Sequence, residues 1–330
     1  MPPKIVFGVN LNFAKYVYGR KRVLEVVRRQ LGLRHVEMVA DNDFGAVFYA
    51  NAPEAFRDYH YQIHDHAVAQ GVSIPSVFTV YRDAGAIANG NPGIRESAYL
   101  VGLSLIEQAA CYSARSAGFS LFTMNREEAE DPERYQSLFF NAIEIWKRWM
   151  ADARRLGVQD LVVEMSAAYR EGCSTIDDTR STLELLDEYH EKNPDTTVPV
   201  RFCYDTGHGV SPIESCDDRD REFQAWLDAF PGRTTEIHLK NTDEEFLSTT
   251  HFDDEGGIIE PGAFLEAVRD TLTVPEVRIF LEVPGKRGRE LGERRTIQEH
   301  AQSIEKVRGA LGELGYRQNE KDWSWEIPGS

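Results

Sequence analysis

Short runs of β-branched and aromatic residues recur along the chain. They predict strands over 4–10 (KIVFGVN), 35–40 (HVEMVA), 73–80 (SIPSVFTV), 119–124 (FSLFTM), 160–166 (DLVVEMS), 198–205 (VPVRFCYD), 235–240 (TEIHLK) and 277–283 (VRIFLEV). Between them, apolar residues fall three and four apart, which predicts helices over 18–32, 95–118, 133–157 and 179–192. Gly32, Gly71, Gly118 and Gly157 stand where several helices end, as expected of residues that enter the left-handed region at a C-terminus. The strands are apolar without clean alternation, which fits a parallel sheet buried on both faces. Strand then helix, eight times at roughly forty residues per unit, predicts a (β/α)8 TIM barrel. No Pro-, Gly- or Ser-rich linker divides the chain. The expected organisation is one catalytic barrel domain over 1–315 and a short C-terminal extension over 316–330. That tail carries Trp323 and Trp325, suited to covering a barrel end or a subunit contact.

Composition narrows the function. Apolar residues make up 42% and charged residues 28%, the profile of a soluble globular chain. No apolar run approaches the ~18 residues of a membrane span, and the first residues lack the apolar core of a signal peptide. Cys111, Cys173, Cys203 and Cys216 are scattered without metal-type spacing, which suits a reducing, cytoplasmic setting. With 37 basic against 54 acidic residues the formal net charge is −17, which argues against a broad nucleic-acid-binding face. The expected partner is a small molecule, with no nucleic acid and no membrane, and a homo-oligomer is compatible with the tail.

In a TIM barrel, chemistry sits at the C-terminal ends of the strands. There the stretch RFCYDTGHGV leaves its apolar run at Asp205, with His208 three residues on. Strand five supplies Glu164, strand seven His238 and strand eight Glu282. Each alone has an ordinary reading: a solvated Glu, a satisfied polar His, an Asp closing an Asx turn. Together they form an arc of two Glu, one Asp and one His on four successive strands, a set able to hold one divalent ion. Its oxygen-rich character suits Mg²⁺ or Mn²⁺, with Zn²⁺ and Co²⁺ as alternatives. His60, His64 and His66 lie mid-helix and read as a helix surface. Asn10, Asn12, Phe78, Tyr81 and Asn125 are weaker candidates for shaping the pocket.

Glu164, Asp205-Thr206-Gly207-His208, His238 and Glu282 resemble, in order and context, the sugar phosphate isomerase/epimerase family, the xylose isomerase-like TIM barrels. The resemblance spans 4–315 and includes HFDDEGGIIEPGAFLEAV (251–268), similar to the family's Gly-rich stretch after strand seven. It implies that Glu164, Asp205, His238 and Glu282 ligate the metal and that His208 orients substrate. Ketohexose epimerases of the family often carry an Arg shortly after the strand-seven His. Here that neighbourhood reads KNTDEEF, which points away from a ketohexose.

Glu164 and Glu282 lie at the two ends of the arc, so they can approach a sugar from opposite sides. One removes a proton and the other returns one, which is epimerisation. Lys286, Arg287 and Arg289 form a basic cluster after strand eight, where barrels often bind phosphate. Lys240, two residues after His238, can also point into the mouth and is a further substrate-binding candidate. The expectation is a metal-dependent isomerase that epimerises a short ketose phosphate; the nearest kind by resemblance is a tetrulose-phosphate 3-epimerase. Aldose–ketose isomerases and sugar or polyol dehydratases use the same scaffold. An endonuclease IV-like nuclease needs histidines after early strands, which VYRDAG and TMNREE lack. A non-catalytic sugar-binding barrel has no need for both glutamates.

Overall fold

The computed structural model describes residues 1–14, 18–43, 45–79, 84–208, 217–242, 249–252, 257–283 and 293–329. Tyr81, Cys216 and the basic cluster Lys286, Arg287 and Arg289 lie outside the described residues. The barrel strands are β1 (Lys4–Asn10), β2 (His35–Val39), β3 (Ser73–Phe78), β4 (Ser116–Ser120), β5 (Asp160–Glu164), β6 (Val200–Asp205), β7 (Thr234–Leu239) and β8 (Glu276–Leu281). They follow one another in chain order round one sheet, and β8 pairs in parallel with β1, which closes it. This is the predicted eight-stranded parallel barrel, surrounded by helices.

The chain divides into two compact units. The first comprises Met1–Glu37, Ala67–Ser73 and Phe202–Ser330; the second, Met38–His66 and Ile74–Arg201. In the first, β1 meets β2 only at Val9–Val36 and Asn10–Glu37, which leaves the first half of β1 open. The tail takes that place: Trp325 pairs with Ile5 in antiparallel fashion, and Arg317–Gln318 pairs back on Trp325–Glu326. The Arg34 guanidinium lies 4.2 Å above the Trp323 ring, and Lys4 reaches Asp322 at 3.1 Å. The extension thus covers the start of β1.

In the second unit the long helix Pro132–Leu156 shows why its sequence folds as it does. Asp131 caps it by accepting from Glu133 N–H and Arg134 N–H, both at 3.1 Å, and Pro132 opens it. Gly157 closes it at φ 84°, as its sequence position predicts. Its buried stripe, including Leu138, Ala142, Trp146, Trp149 and Ala153, returns every three or four residues.

Strand four differs from its predicted bounds. It starts at Ser116 rather than at 119 and ends at Ser120, with Gly118 opposite Phe78. A Cβ on Gly118 would lie 2.1 Å from the Phe78 ring, so that ring fills the space of the missing side chain. Ser-Ala-Gly carries no β-branched signal, and its strand identity comes from its neighbours. Gly118 is therefore not a helix terminus. The helix Pro92–Cys111 ends earlier, and Ser113 takes the left-handed turn at φ 54°.

His60 also departs from its surface reading. It is fully buried, with Nδ1 2.7 Å from the Tyr112 hydroxyl and its ring 4.3 Å from that of Phe56. It shares the inward stripe of helix Pro53–Gln70 with Phe56 and Ile63, and Tyr112 satisfies its polarity. His64 and His66 are half-buried. Asn125 accepts from Glu128 N–H as a helix cap, and Phe78 is packing against Gly118. Cys111, Cys173 and Cys203 are free thiols.

Candidate metal centre

The alternation of a β-strand builds the site. Along TEIHLK, residues 236, 238 and 240 share one face while Ile237 and Leu239 take the other. Glu236 and His238 are fully buried and Lys240 nearly so. On β8, Arg278 is in register with Glu236 and Phe280 with His238; Glu282 follows one step higher. On β6, Asp205 is the register partner of His238. The interior is thus layered, with Glu236 and Arg278 below, His238 and Asp205 at the next level, and Lys240 and Glu282 at the mouth.

The lower layer is a charged network. Arg278 Nε donates to Glu236 Oε2 at 3.0 Å. Asn10 Nδ2 donates to Glu37, whose Oε2 lies 3.0 Å from His238 Nε2. Burial and the neighbouring negative charge of Glu37 push the Glu236 carboxyl up to about 8. Burial works against the Glu37 charge, but the neighbouring His238, together with hydrogen bonds from His238, Glu236 and Asn10, holds this carboxyl below the usual range. One carboxyl of the pair is therefore stabilised as the acid and the other as the anion. With Nε2 turned to Glu37, His238 presents Nδ1 toward Glu282, at 3.8 Å from Oε2.

Asp205 divides its two oxygens between structure and site. Gly207 N–H and His208 N–H donate to Oδ1 at 2.7 and 3.2 Å, so the Asx turn is real. Oδ2 faces the Lys240 ammonium at 2.5 Å and His208 Nδ1 at 3.7 Å. Burial disfavours this charge, but His208 and Lys240 hold the carboxyl well below the usual carboxylate range. Lys240 Nζ also donates to Glu282 Oε2 at 2.7 Å.

Asp205, His238 and Glu282 each offer a ligand atom, and these atoms lie within 4.8 Å of one another. Two carboxylates and an imidazole form a donor set that fits a divalent ion. The site already attracts a cation, since an ammonium bridges its two carboxylates. Glu164 closes β5 in the second unit, buried and opposite Ser120.

Neither a protein-family model nor a curated protein matches the chain. Solved structures do. A xylose isomerase candidate of Rhodospirillum rubrum aligns with 92% of this chain and 99% of its own at 19% identity, with a TM-score of 0.80. The fold is that of the xylose isomerase-like barrels. D-psicose 3-epimerase of Clostridium cellulolyticum aligns with 94% of this chain and 99% of its own, at 15% identity and a TM-score of 0.65. A candidate 3-DHS dehydratase of Bacillus anthracis aligns with 92% and 98%, at 12% identity and a TM-score of 0.58.

Within this barrel, the first unit brings together Asp205, His208, His238, Lys240 and Glu282 from the predicted set. It adds three residues the sequence reading passed over: Glu37, Glu236 and Arg278. Their signal is visible in hindsight as a single charge inside an apolar run, in HVEMV, TEIHL and VRIFL. No described helix is long and apolar enough to cross a membrane.

Proposed function

We propose that this protein is a divalent-metal-dependent epimerase of a short ketose phosphate, with a tetrulose phosphate such as D-erythrulose 1-phosphate as substrate. The observation that carries the reading is the donor set. Asp205, His238 and Glu282 offer ligand atoms within 4.8 Å of one another, and Glu164 is the fourth ligand that the strand-end pattern assigns. These four residues hold the ion, with Mg²⁺ or Mn²⁺ favoured by the oxygen-rich set over Zn²⁺ or Co²⁺. An ion bound there supplies Lewis acidity toward a carbonyl and its adjacent hydroxyl.

The protein's own groups move the proton. Glu164 and Glu282 come from the first and last strands of the β5–β8 arc and address opposite faces of the sugar. One takes the proton from the hydroxyl-bearing carbon next to the carbonyl, and the other delivers a proton to the far face. His208, beside Asp205, orients a substrate hydroxyl. The sharing of this fold by a D-psicose 3-epimerase supports such chemistry on the scaffold. The stretch KNTDEEF after His238 points to a substrate other than a ketohexose.

The test is solvent exchange. With Mn²⁺ or Mg²⁺ and a panel of tetrulose and pentulose phosphates in D₂O, deuterium is expected at the carbon that inverts, read by NMR in both directions. Label at C1 with an aldose product makes the enzyme an isomerase, and loss of water makes it a dehydratase. Anomalous scattering from Mn²⁺-soaked crystals is expected to place one ion on the four named residues; three clustered ions would contradict the assignment.

Lys286, Arg287 and Arg289 are the proposed phosphate grip. Replacing an engaged Arg with Ala removes a charge-assisted contact of about 1.5–3 kcal/mol, at least about tenfold in affinity. An unphosphorylated analogue should lose far less. Equal losses for both ligands, or no loss at any of the three positions, would remove the anion site from the scheme.

A further inference from the structure

Lys240 is the residue the proposed chemistry leaves unexplained. Its ammonium stands 2.5 Å from Asp205 Oδ2 and 2.7 Å from Glu282 Oε2. Metal–oxygen bonds to carboxylates run to about 2.0–2.6 Å. A divalent ion ligated by the same two oxygens would overlap Nζ, so one cation excludes the other.

The surroundings are built for this lysine. Thr206 Oγ1 accepts from Lys240 N–H at 2.9 Å and donates to the Lys240 carbonyl at 2.7 Å, which fixes the backbone at 240 to the end of β6. The residue after Thr206 is a glycine, and a Cβ there would lie 2.7 Å from Lys240 Cε. Asp205-Thr206-Gly207 therefore supplies the anion, the backbone clamp and the space for the aliphatic stem. Only the flexible part of the chain, from Cγ to Nζ, remains free to relocate.

We infer that Lys240 is the built-in competitor of the metal: its ammonium neutralises Asp205 and Glu282 in the metal-free protein, and a divalent ion binds by displacing it. This rests on the metal reading given above. Two buried carboxylates left without a cation repel each other and are costly to desolvate. The lysine keeps the empty site assembled and weakens metal binding in return, since its departure is part of every binding event.

The experiment is Mn²⁺ titration of the full chain by calorimetry and by the free-Mn²⁺ electron paramagnetic resonance signal. Removing a unit charge this close to the ion has a large effect even at a moderate dielectric constant, so Lys240→Met is expected to bind Mn²⁺ at least about tenfold more tightly. Lys240→Arg keeps a competing charge and is expected to stay within about threefold of wild type. Asp205→Asn locates the binding event by abolishing it. If wild type binds at this site and Lys240→Met binds no more tightly, competition is wrong and the metal reading stands. If neither binds Mn²⁺, the metal reading itself fails and the inference falls with it. A second measurement needs no variant, should Lys240→Met not fold. Amine acetylation read by mass spectrometry, with exposed Lys21 as reference, is expected to find Lys240 protected without metal and labelled when Mn²⁺ saturates the site. Labelling of Lys240 unchanged by saturating Mn²⁺ would overturn displacement.

Discussion

Glu164→Gln and Glu282→Gln are each expected to lower turnover of a ketose phosphate by roughly 10²–10⁴-fold, the range a positioned acid–base group contributes. Both residues are buried at strand ends, and in the proposed mechanism each addresses one face of the sugar. Inversion needs removal on one face and return on the other, so losing either group stops it. Exchange with solvent can outlive inversion. A variant that keeps the base on the substrate's reactive face still removes the proton and returns a deuteron to the same face. One variant is therefore expected to wash deuterium into unconverted substrate, and the identity of that variant should swap when the reaction is run from the other epimer. Gln also removes a ligand charge, so Mn²⁺ occupancy is measured first. A variant that binds Mn²⁺ normally and still inverts at near wild-type rate would show that its Glu is not one of the two bases.

Trp149→Ala is expected to destabilise the second unit by about 3–5 kcal/mol, the usual cost of truncating a large buried aromatic. The ring is fully buried, stacked on Phe119 at 4.7 Å, and its Nε1 donates to the Tyr99 carbonyl at 3.0 Å. A Cβ on Gly102 would lie 2.2 Å from the same ring, so helix Pro92–Cys111 carries a glycine where helix Pro132–Leu156 presses closest. The neighbours cannot collapse into the space without moving a helix. Urea unfolding should show the loss as a lower midpoint at an unchanged slope. Trp149→Phe, which keeps a stacked ring and loses the hydrogen bond, should lose clearly less. A Trp149→Ala loss under about 1 kcal/mol would mean that the site collapses freely, against the packing described.

The barrel was legible because its strands and helices carry different periods, and a parallel strand buried on both faces is recognisable from its apolar run alone. Strand four shows the limit. Its first three residues, Ser116, Ala117 and Gly118, have no intrinsic strand signal and become a strand because β3 and β5 pair with them on either side. His60 shows the same limit in a helix. Its burial depends on Tyr112, fifty-two residues away, being present to bond it.

For the site, the residue types at the strand ends were enough to single out Asp205, His238 and Glu282 as candidates that the structure brings together, because a barrel gathers whatever stands at those ends. The period of two in TEIHLK already placed Lys240 on the face of His238. It left undecided whether the ammonium would point to solvent or inward. The tertiary structure decided that, by setting Asp205 and Glu282 on either side of it and a glycine under its stem. The same holds for Glu37, Glu236 and Arg278, whose charges are tolerable inside the barrel only because strands distant in sequence supply their partners. Local pattern dictates which face a side chain takes. The electrostatic partner that makes a buried charge stable comes from another strand, through closure of the sheet.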